Sequence, residues 1–227
     1  MKKTIGLLIV FAFCMMAAEF WQKPFTQWSD KDATRMVTDS PWAKSTSISM
    51  SGPPAPAGLG GGGGFGHGGL PGGPQGGADA GGPGMSFNIV ARWESALPIR
   101  QAQVRLKFGA EADKSADAAK FLAEDEKAYE IVLSGPLGGF LMGPPEAVAK
   151  TLTDVTVLSS HRTGEIKPTH IELSPPGRSM DVLFVFPRSM PFMADDKEVE
   201  FSTKLGKSTL KYRFKLKDMV YNDKLEL

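Results

Sequence analysis

Between Ser51 and Met85, 17 glycines and 6 prolines fill 23 of 35 positions, which leaves too few side chains for a packed core. The rest of the fold has to be arranged around that gap. On its amino side, Thr46, Ile48 and Met50 alternate with Ser45, Ser47 and Ser49. On its carboxyl side, Phe87, Ile89, Ala91 and Trp93 alternate with Asn88, Arg92 and Glu94. A period of two is the mark of a half-buried strand. The two strands are expected to share a sheet and to pair. The glycine block is then a long insertion in their connection, read as a solvated spacer without structure of its own. Such a loop closes at modest extra cost, because the entropy penalty grows only logarithmically with length. Leu59, Phe65 and Leu70 are its few large apolar residues, and its second reading is a tether that presents them to a partner.

Residues 1–18 read as a secretory signal peptide. Lys2 and Lys3 precede an apolar run from Ile5 to Ala18, small residues close it, and Glu19 follows. The run is shorter than the ~20 residues that a helix needs to cross a bilayer. Cys14, the only cysteine, lies inside it, so the expected mature chain has no thiol to mispair in an oxidising compartment. Phe11 and Phe13 beside Cys14 disfavour a lipidation site. Without the signal, 24 basic residues face 25 acidic ones, a balance that gives no support to a nucleic-acid partner. Residues 19–50 are expected to complete the domain formed by residues 86–227, because alone they are too short to bury a core.

Three of the four tryptophans, Trp21, Trp28 and Trp42, crowd the segment after the signal. Ser29 with Asp32 makes a short-armed capping box for a helix over Asp30–Thr38, ended by Pro41. Beyond the glycine block, Ser95 is expected to cap a helix from Leu97 to Lys107, stopped by Gly109. Asp113–Glu126 reads as a second helix, Tyr129–Leu133 as a strand and Pro145–Lys150 as a short helix. Val155–Arg162 and Glu165–Leu173 then flank a two-residue Thr163-Gly164 turn, which would pair His161 with Ile166 and His170 with Val157. Val182–Phe186 is apolar on both faces. Val199, Phe201 and Thr203 alternate before Gly206-Lys207, and Leu210, Tyr212, Phe214 and Leu216 alternate after it. A turn there sets Phe201 opposite Tyr212 and Val199 opposite Phe214, with all the large apolar residues on one face. The fold class expected is α+β: an antiparallel sheet or sandwich of about seven or eight strands with two or three helices.

Few constellations suggest chemistry. Gly206-Lys207-Ser208 resembles the tail of a phosphate loop, but Phe201 stands where the pattern needs glycine and the context is a hairpin. His67, His161 and His170 have no converging ligands in sequence, and Glu124, Asp125 and Glu126 point in different directions at a helix end. No catalytic residue, metal or cofactor is therefore assigned. Lys211, Arg213, Lys215 and Lys217 form a basic stripe, with Arg213 opposite Glu200 and Lys215 opposite Glu198. It reads as a solvated face of charge pairs, or else as a contact for an anionic envelope polymer or headgroup. Phe140, Leu141 and Met142 sit between glycine–proline hinges and are the first place to expect a pocket.

Phe20-Trp21-Gln22-Lys23-Pro24-Phe25-Thr26-Gln27-Trp28, then Ser40-Pro41-Trp42-Ala43, then Arg92-Trp93-Glu94-Ser95-Ala96-Leu97-Pro98 resemble a group of uncharacterised exported bacterial proteins. In that group a similar tryptophan segment precedes a variable glycine-rich stretch. The resemblance implies export and a single domain around the insert, and it carries no activity. The function expected is an exported, non-catalytic structural or binding module of the bacterial envelope, periplasmic or secreted. Its partner is unknown, an envelope protein or polymer. The alternatives are an enzyme on an envelope polymer with its residues scattered along the chain, and a membrane-tethered protein that keeps its amino-terminal helix.

Overall fold

The computed structural model describes residues 19–50, 85–124 and 127–227. Residues 1–18 with Cys14, and the glycine block up to residue 84 with Leu59, Phe65, His67 and Leu70, lie outside the described residues, as do Asp125 and Glu126. Among the described residues no helix is long and apolar enough to cross a membrane.

Helix α1 spans Asp30–Thr38, and both bonds of its capping box form: the Asp32 N–H donates to the Ser29 hydroxyl at 3.1 Å and the Ser29 N–H to the Asp32 carboxylate at 3.0 Å. At its far end the Ser40 hydroxyl donates to the Met36 carbonyl and accepts from the Trp42 N–H, so one side chain satisfies a helix-end acceptor and turns the chain. This turn delivers Trp42 into the core, where Trp28, Trp42 and Trp93 are all fully buried.

Strand β1 (Ala43–Met50) pairs antiparallel with β2 (Met85–Trp93) in the register Thr46 with Ile89 and Ile48 with Phe87. The two alternating stretches thus meet across the glycine block. Helix α2 runs Leu97–Phe108 and ends at Gly109, whose φ of +57° is the left-handed turn glycine accepts without strain. Ser95 does not cap it. Its hydroxyl accepts the Glu130 N–H instead, tying the helix entry to the next strand. The helix expected over Asp113–Glu126 is shorter, α3 at Ala116–Ala123, because the Ser115 hydroxyl accepts from Ala118 and fixes the start there.

Strand β3 (Ala128–Gly135) is followed by α4 (Pro145–Val155), which runs well past Lys150 because Val148 and Leu152 share a buried face. The region after it departs most from expectation. Strand β4 (Val157–Ser160) pairs Ser160 with Gly164 of β5 (Gly164–Ile166), so the turn holds three residues, with Gly164 at φ +66°. Pro168, which cannot donate to a ladder, separates β5 from β6 (His170–Leu173). Strand β6 joins the other sheet, with His170 opposite Val185 of β7 (Met180–Pro187) and not opposite Val157. His161 lies in the turn.

Strands β8 (Glu198–Leu205) and β9 (Ser208–Lys215) form the hairpin in the expected register, Phe201 with Tyr212 and Val199 with Phe214. A short ladder of β10 (Val220–Tyr221) and β11 (Lys224–Leu225) follows. The fold is α+β, with eleven strands in antiparallel sheets and four α-helices among the described residues. One sheet has the order β1-β2-β3-β7-β6 and the other β5-β4-β8-β9. Their inner faces meet through Phe184 and Phe201, with ring centroids 5.2 Å apart, and through Trp93 and Phe214 at 5.4 Å. The Tyr212 hydroxyl crosses between them to the Ile89 carbonyl at 3.1 Å. Burial without a charged partner pushes this phenol well above its ordinary pKa.

Candidate functional site

The loop flagged by its hinges is built between two fixed points. Gly135 ends β3 pressed against β2, where a Cβ would come 3.1 Å from the Asn88 carbonyl, so a larger residue would push the strands apart. Leu137 is then buried in the core and anchors the turn, and Phe140 bonds back to the Leu137 carbonyl at 2.8 Å. From that anchor the chain leaves Phe140 and Leu141 half-buried and Met142 83% exposed, before Pro145 opens α4. Phe140 lies beside the β8–β9 turn at Gly206.

These three side chains face Ala147, Val148 and Leu152 of α4 across a groove of about 340 Å³. Val148 and Leu152 are mostly buried and form its floor, while Ala147 is exposed on its wall. Only two polar side chains line it, Thr151 and Lys204. The Thr151 hydroxyl is committed to the Ala147 carbonyl at 2.9 Å. Lys204 is exposed at the rim and has no carboxylate partner among the described residues. Sequence reasoning found the loop but neither the α4 wall nor Lys204. The apolar spacing of Val148 and Leu152 was a usable signal for the wall. Lys204 joins only because the β8–β9 turn folds against residue 140.

The basic stripe is neutralised in part. Lys211 and Arg213 contact the Glu200 carboxylate at 2.9 and 3.0 Å, and Arg213 also approaches Glu198 at 3.7 Å. The hydrogen bond from Lys211, aided by Arg213, holds Glu200 below its ordinary pKa. Lys215 sits opposite Glu198 in the ladder. Lys217 is not on the strand. It belongs to a 3₁₀ turn over Leu216–Asp218, which begins where the Leu216 N–H leaves the hairpin for the Lys197 carbonyl.

Three larger concavities are more polar; one, of about 520 Å³, lies between Glu19, Trp21 and Asn222, and the other two hold buried or paired charges. One, of about 470 Å³, holds Arg188 and Glu226. Arg188 donates to the carbonyls of Ala128 and Leu227 and stacks over Tyr129. The other, of about 600 Å³, lies beside His161 and Asp196. Asp196 is buried and saturated, accepting from Met193, Ser160 and Arg162. Among the described residues no three His, Cys, Asp or Glu side chains converge as metal ligands. Compared with known proteins, the chain matches no family model, no curated protein and no solved structure.

Proposed function

We propose that this chain is an exported, non-catalytic binding module of the bacterial envelope, and that the groove between residues 140–142 and α4 is its binding site. The observation that carries this reading is the open apolar concavity itself. Met142 is left 83% exposed beside half-buried Phe140 and Leu141, on a loop pinned by Leu137 and α4. Exposed apolar surface arranged around a concavity marks contact sites, whereas singly scattered apolar residues need no explanation. The lining favours binding over chemistry: one committed hydroxyl and one ammonium supply contact and charge but no acid–base pair. Export rests on the basic and apolar character of residues 1–18 and on the resemblance of the tryptophan segments to exported bacterial proteins.

The test is photo-crosslinking in producing cells from a benzoylphenylalanine placed at position 142 of the full chain. A discrete adduct is expected, abolished by Ala147→Trp, which fills the groove from an exposed helix position. The same probe at exposed Lys120 on α3 should give none. Equal labelling from both positions would overturn the site. A purified chain whose mass still includes residues 1–18 would overturn the export reading.

A further inference from the structure

The groove's chemistry narrows what it can hold, provided that it is the binding site. The side chains along its long axis are apolar: the loop residues Leu141 and Met142 on one side and Ala147, Val148 and Leu152 on the other. The Thr151 hydroxyl already donates its proton within α4, which leaves it only as an acceptor. A ligand carrying polar groups along its length would leave most of them without side-chain partners, each at a desolvation penalty. At the rim stands one cation. Lys211 and Arg213 of the same hairpin are matched to Glu200, whereas Lys204, the cation that lines the groove, has no ion-pair partner among the described residues. An apolar trough that ends at one unmatched ammonium is complementary to a molecule with one apolar tail and one negative head.

We infer that the groove binds a free long-chain carboxylate, its tail laid between Leu141, Met142 and the α4 wall and its head against Lys204. A volume of about 340 Å³ suits a single tail of this kind. A membrane surface is the less suitable anionic partner, because stable attraction to headgroups needs a cluster of cations and the rim supplies one. Binding energy comes from the tail and selectivity from the head.

The experiment is calorimetric titration of the purified chain with monomeric linear carboxylates of increasing length and with the matching alcohols. Each added methylene should tighten carboxylate binding about fourfold until the groove is full. Lys204→Met should weaken carboxylates about threefold, as expected for one exposed charge contact, and leave the alcohols unchanged. Ala147→Trp should abolish both. Affinity independent of chain length would overturn the inference, as would a Lys204→Met variant that weakens alcohols as much as carboxylates. Binding to phosphatidylglycerol vesicles without binding to dispersed carboxylates would also overturn it. If carboxylates fail while the position-142 adduct persists and Ala147→Trp blocks it, the ligand class falls and the groove stands. If the adduct is missing as well, both fall.

Discussion

Asp196 and Glu226 are carboxylates withdrawn from solvent whose proton affinities shift in opposite directions. Burial pushes Asp196 up, but the Arg162 guanidinium, the Met193 N–H and the Ser160 hydroxyl overcome it, and the group lies below its ordinary pKa. Its contribution is therefore present above the unfolded-state pKa and lost as pH falls through the folded one. Asp196→Asn should lower stability at pH 7 by about 1–3 kcal/mol and flatten the acid limb of the stability curve, read by denaturation at several pH values. Glu226 has the opposite sign. Burial dominates, and the Leu97 N–H with nearby Lys224 and Arg188 offsets it only in part, so its pKa is raised. A raised carboxylate favours the fold at low pH, and that contribution fades as pH rises through its folded value. Glu226→Gln keeps an acceptor for Leu97 and removes the desolvated charge. It should raise Tm at neutral pH, with the difference closing near about pH 4, where an ordinary glutamate is half protonated. Neither residue was legible in the sequence. Arg162 lies 34 residues from Asp196, and only the packing of the 188–197 loop on the β4–β5 turn joins them.

At the level of elements, legibility followed the locality of the determinants. The β8–β9 register was readable because a two-residue turn and one alternating pattern fix it together. The boundaries of α1 were readable because its capping box spans four consecutive residues. Ser29→Ala removes one of the box's two bonds and should cost about 1 kcal/mol in chemical denaturation. Where two local signals competed, the outcome was not readable. Ser95 had a helix in front of it and was claimed instead by the Glu130 N–H, 35 residues on. Thr163-Gly164 is a plausible two-residue turn, but the left-handed Gly164 closes a three-residue one, and this shifts every pairing after it. The candidate groove divides the same way. Its loop was marked by glycines and prolines within a few residues, whereas Lys204 arrives from 62 positions beyond Met142.

At the scale of the molecule, the tryptophan-bearing segments do structural work. Trp21, Trp28, Trp42 and Trp93 enter one core, Ser40 shapes the turn after α1, and Arg92 ties β2 to Ser134 of β3 and Asp181 of β7. The strands on either side of residues 51–84 are already paired to their ends, with Met50 opposite Met85. Replacing those 34 residues by a four-residue turn removes three doublings of loop length. It should leave the fold intact and raise stability by about 2 kcal/mol in denaturant titration. The Trp42 indole N–H finds its acceptor at the Glu226 carbonyl, 2.8 Å away in space and 184 positions away along the chain. One of the first core side chains along the chain is thus fastened by one of the last residues. A chain cut short before Glu226 would leave that indole N–H without its acceptor.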